Sequence, residues 1–153
     1  MTMYHGLIQS HINYGILLWG NAQKGDLKKI CNIQKKSLGA IFRDIKHKDD
    51  LFANARVLNL EDTYKKECIK FCHKIFNNNI PNLTNFFTLT MHSHNTRNRG
   101  QPAIERYNFS KYRNFFLHQC PLLWNSIPAP MRHSTEQHVV QWFKQICLNK
   151  YKN

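Results

Sequence analysis

Apolar residues return every three or four positions through most of this chain, and that regularity restricts the fold more than anything else in it. Between residues 25 and 43, Leu27, Ile30, Cys31, Ile33, Leu38, Ile41 and Phe42 keep the period of one helix face, while Lys28, Lys29, Lys35, Lys36 and Arg43 fill the remainder. Asp26 stands where a helix N-cap is expected. A second helix is expected to open at Asn59 or at Glu61-Asp62, to bury Tyr64, Cys68, Phe71, Cys72 and Ile75, and to stop at the Asn77-Asn78-Asn79 run. Residues 3–18 set Tyr4, Leu7, Ile8, His11, Tyr14, Gly15 and Leu18 at helical spacing, with Trp19-Gly20-Asn21 as the stop. In the last helix, 134–150, Ser134 and Gln137 form a capping-box pattern, and Val139, Trp142, Phe143, Ile146 and Cys147 make the buried face. The expected class is mainly α: a small helical domain of about four to six helices, with an irregular or short β segment in its second half.

The remaining stretches break the period. "HKDDLFANARVLNL" (47–60) suggests a short helix and a turn. Residues 79–101 turn to Asn, Thr, Ser and Gly and are expected to connect, ordered in part by Phe86, Phe87 and Leu89. Residues 102–117 fit either a short strand pair or a strand running into a helix. The chain therefore divides into a helical part (1–78), a connecting segment (79–101) and a tail (102–153), all one domain or a fragment of a larger protein. "MTMYHGLIQSHINYG" enters a helical pattern at once, which reads as the middle of a longer chain. The apolar patch Ile16–Trp19 is too short to span a bilayer, which takes about 20 residues.

Charge narrows the partners. The 153 residues carry a net charge of +13, which favours a polyanion. Residues 1–67 hold eleven Lys/Arg and seven Asp/Glu; residues 68–153 hold eleven Lys/Arg and only Glu105 and Glu136. The five cysteines are odd in number and widely spaced, which suits reduced thiols in a nuclear or cytoplasmic setting and not a secreted disulfide framework.

The candidates for chemistry are thin. Cys68 and Cys72, with His73 beside them and His92 and His94 downstream, lack the paired spacing of a structural zinc site, and both cysteines fall on an apolar helix face. His47 and Asp49 match a His-x-Asp pair, but the strand scaffold of such iron sites is missing. The nine acidic residues mostly cap helices or sit among lysines, with no converging carboxylates for a two-metal centre. No catalytic residue, metal or cofactor is expected. What remains is basic residues among amides and aromatics: Lys28, Lys35 and Lys36; Arg97 and Arg99 in "HNTRNRGQ" (94–101); and Arg113 in "RYNFSKYRNFF" (106–116). Guanidinium forks and ammonium groups suit phosphates, and tyrosines can stack on unpaired bases.

Six stretches, in order, carry a resemblance: "LIQSHINYGILLWGN" (7–21), "IQKKSLGAIF" (33–42), "LFANARVLNLEDTY" (51–64), "HNTRNR" (94–99), "PLLWNSIP" (121–128) and "WFKQICLNKY" (142–151). Together they are similar to the C-terminal region of reverse transcriptases from LINE-type (non-LTR) retrotransposons of the Jockey/CR1 kind. The resemblance implies a thumb-like region and the segment beyond it, with Tyr14, Gly15, Trp19, Gly20, Trp124, Asn125 and Pro128 as structural signature. It implies membership of an RNA-directed DNA polymerase whose catalytic Asp-Asp motif lies outside this chain, so this chain is not expected to polymerise. It also implies a grip on an RNA or DNA backbone.

Within "CPLLWNSIPAPMR" (120–132), Trp124 is expected as a packing anchor and Asn125 to cap or tie the turn with its amide. Pro121, Pro128 and Pro130 should punctuate the chain, with Pro128 and Pro130 stopping one helix and aiming the last. A rival expectation is a structural interaction module whose face of Tyr4, Leu7, Tyr14 and Trp19 packs on missing polymerase domains or another protein.

Overall fold

The structure, a computed structural model, describes residues 1–42, 51–77, 87, 101–104 and 115–152. It is mainly helical, as the apolar period requires, and the described residues contain no strand. In chain order the helices are α1 (Thr2–Tyr4), continued through a π-turn at His5–Gln9 into α2 (Ser10–Asn13); α3 (Ile16–Trp19); α4 (Lys24–Ile41); α5 (Leu51–Ala55); α6 (Leu60–Asn77); α7 (Phe116–Ser126); α8 (Ala129–Arg132); and α9 (Glu136–Lys150). No helix among the described residues is long and apolar enough to cross a membrane.

Two compact units emerge. The first is Met1–Glu67 with Gln141–Asn153, the second Cys68–Val140. Gln141–Asn153 thus groups with the start of the chain, and α6 and α9 each give one part to either unit.

The first unit packs Tyr4, Leu38, Leu51, Phe52, Ala55 and Val57 into a core, with Ile8, Phe42 and Tyr151 against it. A polar thread runs through it. The Gln34 amide donates to the Tyr4 hydroxyl (3.0 Å) and to the Leu58 carbonyl (2.9 Å), and Tyr4 donates to Gln9 Oε1 (3.1 Å). Burial pushes the Tyr4 phenol up, and its bond with Gln34 opposes this. The chain end is tied down by Tyr151, whose hydroxyl donates to the Asp62 carboxylate and accepts the Asn59 N–H (3.2 Å). Burial, then that bond to Asp62, raise the Tyr151 phenol far above its ordinary range.

The expected face of residues 3–18 is redrawn. In the π-turn the Ser10 N–H reaches the His5 carbonyl, five residues back, and the extra residue rotates the face that follows. Tyr4, Gln9, Ile12 and Ile16 turn inward, while Leu7, Tyr14 and Leu18 are 62%, 84% and 75% exposed. The helix also ends early. Tyr14 is extended and Gly15 takes φ 61°, a left-handed conformation that suits a residue without Cβ, before α3 begins.

Helix α4 departs from its expected face as well. Only Gln34 and Leu38 are buried along it, and Ile33 and Ile41 are 55% and 43% exposed. Its N-cap is Gln23, which makes no side-chain bond; Asp26 lies inside the first turn and pairs with Lys29. Helix α6 follows expectation more closely. Asn59 caps it, its Oδ1 accepting the Asp62 N–H at 2.8 Å, and Tyr64, Cys68, Cys72 and Ile75 are all buried. Phe71 is half-buried, with its ring on Phe87 and Phe116.

The second unit is built on rings. Trp124 is 4% exposed and lies 5.5 Å from Phe76 and 6.1 Å from His73 between ring centroids. Phe76 also meets Phe87 at 5.7 Å. Cys68, Cys72 and Cys120 are fully buried thiols. Contact with Cys68 lowers the Cys120 thiol, but contact with Cys72 and burial raise it more, so it stays protonated far past neutrality.

Pro121 does not punctuate: it lies buried inside α7 beside Cys120 and Trp124, where that packing offsets the amide bond a proline cannot make. Ile127, held extended by the proline after it, ends α7; Pro128 then caps α8, and Pro130 sits in the first turn of α8 and does not stop a helix. The last helix starts at Glu136, and its cap is Thr135, whose Oγ1 accepts the His138 N–H at 3.4 Å. Ser134 turns back to donate to the Met131 carbonyl at 2.7 Å, so the expected Ser134–Gln137 box is not formed. Along α9, Val139, Cys147 and Leu148 are buried, whereas Trp142, Phe143 and Ile146 are half-buried.

Candidate nucleic-acid interface

Helix α4 carries five lysines and one aspartate in 18 residues. Two turns of helix span seven residues, about 10 Å, so residues seven apart lie on one row. Lys28 and Lys35 form one such row and Lys29 and Lys36 the next. The rows adjoin, and Gln34 and Leu38 anchor another face in the core. Burying that face turns a lysine row toward water.

Lys28 and Lys36 are exposed, and among the described residues neither forms an ion pair. The Lys29 side chain, 78% exposed, meets Asp26 at 3.0 Å, a pair between two wet groups and therefore weak. Lys35 is half-buried and already engaged. The face thus offers Lys28, Lys29 and Lys36 to a polyanion, with Lys24 exposed at its start.

The lysines of α6 are spent differently. Lys65 reaches Glu61 at 2.6 Å and Asp62 at 3.8 Å, and Lys66 reaches Glu67 at 2.9 Å. Burial lowers the Lys65 ammonium, but its bond to Glu61 and the nearby Glu61 and Asp62 charges raise it more. The described acidic residues of the first unit therefore neutralise α6 more than α4.

Of the other expected contacts, Arg97, Arg99 and Arg113 lie outside the described residues, as do His47, Asp49, His92 and His94. The expected signature residues are structural parts. The Trp19 indole donates to the Tyr14 carbonyl at 2.8 Å and so closes the turn over Gly15. A Cβ at Gly20 would fall inside the contact distance of the Tyr64 ring and the Ile16 carbonyl. Asn125 ties a more distant segment than its own turn: its Nδ2 donates to the Pro102 carbonyl at 3.1 Å, while its buried Oδ1 finds no partner among the described residues. No group of His, Cys, Asp or Glu among the described residues has the arrangement of a metal site.

Sequence reasoning left Lys29 out of the exposed lysine set, though its seven-residue spacing from Lys36 was visible. It also missed the inward turn of Gln9 and Gln34. No residue type announces that, because a glutamine in an apolar row looks like an interruption until its partners are known.

Comparison of the chain with protein-family models, with curated proteins and with solved structures finds no match.

Proposed function

We propose that the chain grips nucleic acid by its phosphates, as the C-terminal, thumb-like region of a LINE-type reverse transcriptase would, without carrying out polymerisation itself. The lysine face of α4 carries this reading: Lys28, Lys29 and Lys36 stand in water on one helix, in a chain of net charge +13. Ammonium groups on flexible stems bind phosphates as point charges and do not read base edges, so the grip is independent of sequence. Each phosphate neutralised releases counterions and adds about −0.9 to the slope of log affinity against log salt on a duplex. Three lysines on one face therefore predict a slope of about −3.

The test is binding of the purified chain to labelled single-stranded RNA, duplex DNA and an RNA–DNA hybrid across a salt series, with circular dichroism on the same sample. A helical chain whose log affinity falls linearly with log salt on all three supports the grip. A helical chain that binds none of them, or binds equally well at low and moderate salt, refutes it.

A further inference from the structure

Beside the lysine rows, the first unit holds an open apolar groove of about 290 Å³ between the helices of residues 2–19 and α4. Its lining includes Ile12, which is buried, Trp19, and Leu7 and Ile33, which are 62% and 55% exposed. Leu7 and Ile33 thus leave large aliphatic side chains in water at a concave apolar surface, where a partner's apolar side chains can bury them. The indole N–H of Trp19 is already used by the Tyr14 carbonyl, so that ring offers the groove only carbon. Of the remaining lining only His11 brings a polar side chain, so phosphates and bases find little to bond to.

The rim carries a positive excess: Asp26 pairs with Lys29, and Lys36 forms no ion pair among the described residues. On α4, Ile33 falls four residues after Lys29 and three before Lys36, which places both ammonium groups beside it on the helix surface. An occupant must bring apolar side chains to the floor and negative charge to the edge. A second copy of this chain brings +13 to a face that already carries two lysines, and like charge opposes it.

We infer that the groove is a docking site for an acidic amphipathic helix of a partner protein, with apolar anchors at helical spacing on Leu7 and Ile33 and carboxylates on Lys29 and Lys36. This surface shares Lys29 and Lys36 with the phosphate grip, so the acidic helix and nucleic acid compete for those two lysines, while the apolar lining takes no part in the grip.

The probe is a labelled amphipathic peptide of about 18 residues, five helical turns, with leucines on one face and glutamates flanking them. Its twin carries glutamine for every glutamate. Anisotropy against the whole chain should show the acidic peptide binding at least about tenfold more tightly than its twin. Leu7→Gln and Ile33→Gln change no charge and sit in water, so their circular dichroism should match the parent. Each should weaken the acidic peptide by about tenfold. Lys29→Gln with Lys36→Gln should erase the preference for the acidic peptide and leave the twin unchanged. Equal affinity for both peptides, or Leu7→Gln and Ile33→Gln that bind as well as the parent, would overturn the proposal. So would a dimer in sedimentation that Ile33→Gln dissociates and the peptide does not, or anionic vesicles that the groove binds while ignoring the peptide.

Discussion

Helices α4 and α6 have the same length and both are rich in lysine, yet they play opposite parts. Helix α6 buries side chains at intervals from Leu60 to Ile75, and its Lys65 and Lys66 are matched to Glu61, Asp62 and Glu67. Helix α4 buries two side chains and carries one acid among five lysines. The difference shows how a basic chain can separate its tasks. Acids accompany the lysines of the helix that packs and are scarce on the helix whose lysines stand in water. Net charge alone does not reveal this, because both helices contribute lysines to the same total.

The sharpest way to break the comparison is through isoleucine. Ile75 of α6 is fully buried and Ile33 of α4 is 55% exposed. Ile75→Ala should cost about 2–5 kcal/mol of unfolding free energy, while Ile33→Ala should stay within about 0.5 kcal/mol. Urea titrations of the two variants measure both. Equal losses would mean that α4 is a core helix after all.

Packing at Tyr64 of α6 sharpens the same contrast. A Cβ at Gly20 would meet the Tyr64 ring and a backbone carbonyl, so Gly20→Ala should cost about 1–3 kcal/mol. At Gly25 in α4 a Cβ meets open space. Gly25→Ala should stabilise by about 0.5–1 kcal/mol.

The start of α6 gives a dependence on pH. Burial and then the neighbouring Asp62 push the Cys147 thiol from its ordinary 9.0 to about 11. The native state therefore keeps a proton that the unfolded chain gives up. Its contribution is complete below pH 9 and is lost as pH rises through 11. The unfolding midpoint should fall across that window, and Cys147→Ala should flatten the fall.

The caps supply the smallest change in stability. Asn59 holds the first turn of α6, and Asn59→Ala should cost about 1 kcal/mol. Gln23 makes no cap bond on α4, and Gln23→Asp should gain about 0.5 kcal/mol. Thermal melts of the pair test whether α4 is the less well fastened of the two.

These same helices show what a sequence exposes. The run of apolar residues in α6 places its bounds and its buried face correctly, since tertiary packing reinforces the period at almost every turn. In α4 the period identifies a helix but overstates its burial: Ile33 and Ile41 keep the spacing of a core row without being covered. A period reports which residues share a face, not whether anything lies against it. The first helices were misread for another reason. A π-turn shifts the register by one residue, and nothing in "HGLIQ" marks it. The cap of α9 turned on two neighbouring hydroxyls, Ser134 and Thr135, that are equivalent in chemistry and differ only in backbone geometry. Of the candidate interface, the lysine rows were legible because spacing alone sets them; the groove was not, because it needs two separate segments brought side by side.

The most direct measurement compares two double variants of equal charge change. Lys28→Ala with Lys36→Ala removes two exposed ammonium groups from α4; Lys65→Ala with Lys66→Ala removes two paired ones from α6. Binding to duplex DNA is followed across a salt series. The first pair should flatten the slope of log affinity against log salt by about 1.8, two phosphate contacts at 0.9 each, and the second should leave it unchanged. Equal flattening by both pairs would mean that only total charge matters, and would contradict a grip located on α4.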